Sequence, residues 1–139
     1  NDATLVEPYG KTYNYFAVVD PRGLCPDGFH VPNDADWDEL LTTLGGASIA
    51  GGKMKEVGTI HWDSPNSSAT NSSGFTGLAA GFRALDGKYM HFGLSNYFWS
   101  TTEVSSTMAN GWYLYYTYGT VLNGGYSKVQ AFSVRCLKD

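Results

Sequence analysis

Charge is scarce in this chain: Asp, Glu, Lys and Arg make up 16% of its 139 residues, and the formal net charge is −4. The nine Lys and Arg residues are scattered. Phosphate neutralisation needs clustered cations, so nucleic acid is not an expected partner. Long apolar runs are missing too, and none approaches the roughly 18–20 residues of a membrane span. No signal peptide is visible, and the Asn1-Asp2-Ala3 start reads as a mature or trimmed terminus. Cysteine is limited to Cys25 and Cys136. They form either a disulfide or two buried free thiols; low charge and few lysines suit an exported protein and favour the bridge. The three histidines, His30, His61 and His91, have no Cys or carboxylate at zinc-like spacing. Cys25 with a distant His is no nucleophile signature. No catalytic residue, metal set or cofactor is therefore expected, and nothing specifies an oligomeric state.

What the chain has instead is glycine and aromatics, 17 and 21 residues respectively. That bias favours short strands, turns and long ordered loops over a helical bundle. The length suits one domain, 1–139, large enough to bury a core. The aromatics concentrate late. Ala109–Gln130 holds six of them among Gly, Asn, Ser and Thr, with few aliphatic residues. Tyr and Trp give rigid contact area at small entropic cost while Ser, Gly and Asn adapt their hydrogen bonding, as recognition surfaces require.

Along the chain, Tyr13–Val19 reads as a strand, stopped by Asp20-Pro21-Arg22-Gly23. A turn at Cys25–Phe29 leads into an extended His30-Val31-Pro32. A helix follows, with Asn33 as N-cap, Asp34 and Asp36 in its first turn, and Trp37, Leu40, Leu41 and Leu44 at i, i+3, i+4, i+7. Gly45-Gly46 ends it. A second helical piece, Ser48–Val57, is weakened by Gly51-Gly52. Residues 58–74 read as polar loop anchored by Trp62. Short strands are predicted at Phe75–Leu78, Ala80–Ala84, Lys88–Phe92, Tyr97–Ser100, Gly111–Tyr118 and Phe132–Leu137, with a hairpin turn at Asp86-Gly87.

Six segments in order carry a family likeness: Lys11–Val19, Cys25–Trp37, Ala50-Gly-Gly-Lys-Met-Lys55, Ser73–Arg83, Phe98-Trp-Ser-Thr-Thr-Glu103 and Phe132-Ser-Val-Arg-Cys136 with Leu137-Lys138-Asp139. Together, from about Tyr9 to Asp139, the chain resembles the Fibrobacter succinogenes major paralogous domain, a bacterial surface-protein module. The resemblance implies an α+β, C-type-lectin-like fold. Two helices would flank a small antiparallel sheet, with N- and C-terminal strands paired and a second small sheet among long ordered loops. It also implies that Cys25 and Cys136 are the family's paired cysteines.

The family includes the variable proteins of diversity-generating retroelements, in which the segment before Phe-Ser-Val-Arg-Cys is diversified for ligand binding. Here that segment is Asn110–Gln130. Adenine-directed change readily yields its Tyr, Asn, Ser, Gly and Thr, but not its Trp, Lys or Gln. The chain departs from the family pattern at Trp112, where Arg is common, and at Val129-Gln130-Ala131, where Gly usually precedes the Phe.

If Gly111–Tyr118 is a strand, Trp112, Tyr116 and Tyr118 share the side of the core residue Leu114, and Tyr113, Tyr115 and Thr117 face the other way. The candidate ligand-binding residues are Asn110, Trp112, Tyr113, Tyr115, Thr117, Tyr118, Asn123 and Tyr126, for a protein or glycan. The blander reading has these tyrosines packing on a neighbouring loop with hydroxyls in water. Trp37, Trp62 and Trp99 are expected in the core rather than as ligand platforms, and Glu103 as a structural acceptor for turn amides, with a metal ligand as its alternative. Ca²⁺-dependent sugar binding is not expected: the Glu-Pro-Asn and Trp-Asn-Asp signatures are absent, and Asp63, Asn66, Asn71 and Asp86 are dispersed. The expectation is an exported, non-catalytic adhesin-type module, the C-terminal domain of a larger surface protein. Its alternative is a structural packing module of a surface assembly. A formylglycine-generating oxidase comes third.

Overall fold

The order of elements follows from a few local signals. The computed structural model describes residues 6–139, so the reading of the Asn1-Asp2-Ala3 terminus lies outside the described residues. After a short helix α1 (Val6–Tyr9), β1 is only Tyr13–Asn14. The strand predicted over Tyr13–Val19 is cut short because the Asn14 side chain accepts from the Ala17 amide and starts one helical turn, α2 (Tyr15–Val18). Tyr15 and Val18 are thereby buried on one face while Phe16 stays outside. Strand β2 (Phe29–His30) precedes α3 (Asp34–Thr43). That helix starts as predicted: Asn33 accepts from the Ala35 and Asp36 amides, and Asp36 accepts from the Asn33 amide.

Helix α4 (Ala47–Met54) runs through Gly51 and Gly52 rather than breaking there. Both are fully packed, and contact explains their identity. A Cβ on Gly51 would sit 2.8 Å from the Gly119 carbonyl oxygen, and one on Gly52 would collide with that of Ser68. The glycines let a helix lie against two loop backbones, which outweighs their poor helix propensity of about 1 kcal/mol each.

The loop that follows is held by its own side chains. Asn66 donates to the Glu56 and Gly58 carbonyls, Asn71 accepts from the Thr76 amide, and the Trp62 indole donates to the Gly77 carbonyl. Phe75–Leu78 is not a strand; Gly77 makes only an isolated bridge to Lys55. Strands β3 (Phe82–Arg83) and β4 (Tyr89–Met90) form the predicted hairpin about Asp86-Gly87. Strand β5 (Ser95–Glu103) is longer than expected, and β6 (Met108–Tyr115) starts and ends three residues earlier. Strand β7 (Leu122–Ser127) was not expected; Asn123-Gly124-Gly125 has poor strand propensity, overridden by pairing with β6. The predicted Phe132–Leu137 strand divides into β8 (Ala131–Phe132) and β9 (Leu137–Lys138) in different sheets.

Among the described residues the result is a mixed α/β fold of three antiparallel sheets: β1-β8-β3-β4, β2-β9 and β5-β6-β7. Strands near the two ends of the chain do pair, Tyr13 opposite Phe132 and Phe29 opposite Lys138. The Cys25–Cys136 disulfide, spanning 111 residues of sequence, fastens the same region. In the chain-entropy model such a loop closure stabilises by about 4–5 kcal/mol at most.

The β5-β6-β7 sheet divides the interior into two cores. One face carries Phe98, Trp112, Leu114 and Val121 against Trp37 and Leu41 of α3, Ala50 and Met54 of α4, and Trp62. The other carries Tyr97, Trp99 and Ala109 against Tyr15, Val18, Val31 and Phe132. Trp37, Trp62 and Trp99 are each at most 2% exposed, as expected of core residues.

Candidate functional site: an aromatic face on the central sheet

Strand β6 alternates between the two cores, and its register on β7 decides where each candidate residue goes. Asn110, Trp112 and Leu114 point toward α3. Trp112 stacks on Trp37 at 5.9 Å between ring centroids, and its indole donates to Asp34 Oδ1 at 3.2 Å. Asn110 Nδ2 donates to Asp34 Oδ2 at 2.8 Å. One carboxylate at the start of α3 thus ties the helix to the sheet. Both Asn110 and Trp112 are buried, so these two candidates serve the core rather than an open surface. Asn123 lies opposite Trp112 and shares its side of the sheet, although it is exposed.

The opposite side gathers the tyrosines. Tyr113 stacks on Tyr97 of β5 at 4.8 Å and 15° between planes, and Tyr126 of β7 meets the Tyr97 edge at 5.6 Å. Tyr126 also packs on Phe132, and Phe82 of β3 packs on Tyr97. Tyr115 stacks on Tyr118 at 5.3 Å and 27°, with the exposed His91 ring 6.4 Å away. Tyr113, Tyr115, Tyr118 and Tyr126 are all half-buried. Alternation places Tyr113 and Tyr115 as expected but fails at Tyr118. The strand ends at Tyr115, and the turn that follows returns Tyr118 to the Tyr115 side while Tyr116 packs on the first core. Thr117 is exposed on that turn.

Electrostatically this face is neutral. Burial, then the neighbouring Tyr113 and Tyr115, pushes the Tyr118 hydroxyl up to about 12. Burial, then Tyr113 and Tyr118, does the same for Tyr126, also to about 12. Tyr97 is driven further in the same direction, chiefly by burial. These phenols stay protonated at any physiological pH, offering stacking area and neutral hydrogen bonding.

The other groups considered from sequence lie elsewhere. Glu103 accepts from the buried Lys128 ammonium at 2.8 Å, not from turn amides. His30 pairs with Asp139 and His61 with Glu56, at 2.7 and 2.8 Å. Asp86 pairs with Lys88. Among the described residues no three His, Cys, Asp or Glu side chains converge as metal ligands would. No helix among the described residues is long and apolar enough to cross a membrane.

Three residues of consequence were missed from sequence. Tyr97 could have been found, since alternation along β5 puts it with Trp99 and opposite Phe98. The double role of Asp34 is invisible without the fold, because a helix-start acid already has a local explanation. Lys55 was read only as the end of the Ala50–Lys55 segment; nothing in the sequence marks it as buried, and among the described residues it belongs to no ion pair.

These features define an α+β domain of short antiparallel sheets and ordered loops, closed by a disulfide and carrying a half-buried tyrosine cluster on its central sheet. The chain belongs to the Fibrobacter succinogenes major domain family, whose model matches residues 1–138. No curated protein and no solved structure matches it.

Proposed function

We propose that this domain is a non-catalytic ligand-binding module of adhesin type, exported to the bacterial surface or secreted, with a C-type-lectin-like fold. The carrying observation is the contiguous face of Tyr113, Tyr115, Tyr118 and Tyr126 backed by Tyr97, half-open and uncharged. Tyrosines held by stacking lose little entropy when a partner covers them, the economy on which recognition surfaces depend. A protein surface or a neutral glycan suits this chemistry. The position of the face, within the stretch before Phe132-Ser133-Val134-Arg135-Cys136, supports diversification by a retroelement as its origin.

The alternative is a packing module of a surface assembly, favoured by the share of each tyrosine already buried against its neighbours. An oxidase reading has less support, since both cysteines are joined in the disulfide.

Retention on a neutral-glycan array and on immobilised extracellular-matrix proteins tests the reading. Tyr113→Ala and Tyr115→Ala should leave the domain folded and reduce retention at least tenfold; undiminished retention would sink it. Failure of the parent protein to assemble, with retention unaffected, would select the packing alternative.

A further inference from the structure

Lys55, just past the end of α4, is 0% exposed yet belongs to no ion pair among the described residues. A buried charge is costly unless its hydrogen bonding is complete. An ammonium has three donors and no acceptor. Here the Nζ reaches three backbone carbonyl oxygens, of Ser67 at 2.8 Å and of Tyr115 and Tyr118 at 3.0 Å each. The face of Trp62 lies 5.5 Å away. Three peptide oxygens, one from the loop after α4 and two from the turn at the end of β6, converge as they do round a small cation, and the cation is part of the chain.

Two of those oxygens belong to Tyr115 and Tyr118, the residues whose rings stack on the candidate face. The turn between them has few other tethers. The Tyr116 amide donates to the Leu94 carbonyl at 2.9 Å, and the Tyr116 carbonyl accepts from the Ser67 amide at 2.8 Å. An apolar side chain at position 55 would fill the space but leave three carbonyls without their donor, and the turn would have to move to satisfy them.

We propose that Lys55 is the positioning residue of the tyrosine face, its ammonium fixing the Tyr115–Tyr118 turn and so the stacking of Tyr118 on Tyr115. The functional meaning of the clamp rests on the ligand-binding reading above; its structural content rests on the three hydrogen bonds alone.

Amide hydrogen exchange of Lys55→Met tests it, because the Tyr116 and Ser67 amides report on the turn and the Leu44 amide, bonded to Leu40, reports on α3. Protection at Tyr116 and Ser67 should fall at least tenfold while Leu44 is unchanged. Unchanged protection at Tyr116 and Ser67 overturns the proposal. If Lys55→Met does not fold, Lys55→Ala is examined with n-propylammonium, which replaces the atoms removed. Dose-dependent recovery of fold and of turn protection, unmatched by tetramethylammonium, upholds the clamp; no recovery, or equal recovery with both cations, refutes it. Retention of Tyr115→Ala on the glycan and matrix surfaces separates the two ideas. Undiminished retention there, with turn protection lost in Lys55→Met, sinks the binding reading and leaves the clamp standing.

Discussion

The two faces of the β5-β6-β7 sheet share strands but not rules. Toward α3 and α4 the sheet presents Phe98, Trp112 and Leu114, closed over by helices and tied down by Asp34. Away from them it buries Tyr97 and Trp99 but leaves Tyr113 and Tyr126 half-open beside Phe82 and Phe132. Adjacent residues of β6 therefore live in different environments: Trp112 is 5% exposed while Tyr113 beside it is half-open. A strand with period-two alternation can carry core identity on one side and leave the other side to surface chemistry. Aromatic content by itself says nothing about which side a ring serves.

Substitutions can break this contrast in graded steps. Trp112→Ala should cost most, about 3–5 kcal/mol in urea unfolding, because it opens a cavity beside Trp37. A loss below about 1 kcal/mol would show that this face is not the tighter core. Asp34→Ala should cost about 1–3 kcal/mol by stranding the buried Asn110 and Trp112 donors. Asp34→Asn, which keeps an acceptor, should recover part of that. Tyr115→Ala should cost least, about 0.5–1.5 kcal/mol, the worth of an aromatic pair beyond its burial. A cost as large as that of Trp112→Ala would erase the distinction between the faces.

The two sides also titrate in opposite senses. Burial lowers the Lys55 ammonium from its ordinary 10.5 to about 8. Between those values the unfolded chain holds a proton that the folded one has released, so stability rises with pH across about 8 to 10. Raised tyrosines act the other way: above pH 10 the unfolded phenols ionise while folded Tyr118 and Tyr126 stay neutral to about 12, and stability falls. The titratable groups on the elements round Lys55 are Lys53 of α4, Glu56, His61 and Asp63 of the loop that follows, and Tyr113, Tyr115, Tyr116 and Tyr118 of β6 and its turn. Chemical denaturation from pH 7 to 11 should show a maximum near pH 10 in the parent. In Lys55→Met the rising limb should vanish and the falling limb remain.

The sequence was most legible where local and tertiary demands agree. Helix α3 has its cap, its acidic first turn and its apolar stripe all in order, and it formed as read. The split of Leu114 from Tyr113 and Tyr115 was legible as well, because alternation is a property of the strand alone. Legibility failed where a partner distant in sequence decides the outcome. Asn14 turns the chain into α2, Gly51 and Gly52 are selected by loops 16 and more residues away, and β7 exists because β6 pairs with it. Asn110 resembles a surface amide until Asp34 is placed beneath it. Tyr118 resembles the next residue in an alternation until the strand stops at Tyr115.

The bonds made by Lys55 carry a further consequence. An ammonium that spends its three donors on peptide oxygens is blind to what those peptides bear, since every residue offers the same carbonyl. The backbone path at 115–118 is therefore specified from outside, by a residue some sixty positions earlier in the chain. Exchanging Tyr115, Thr117 or Tyr118 changes what the turn displays while leaving its anchorage in place. Shape and vocabulary are stored in separate parts of the molecule, and one can be rewritten without reopening the other.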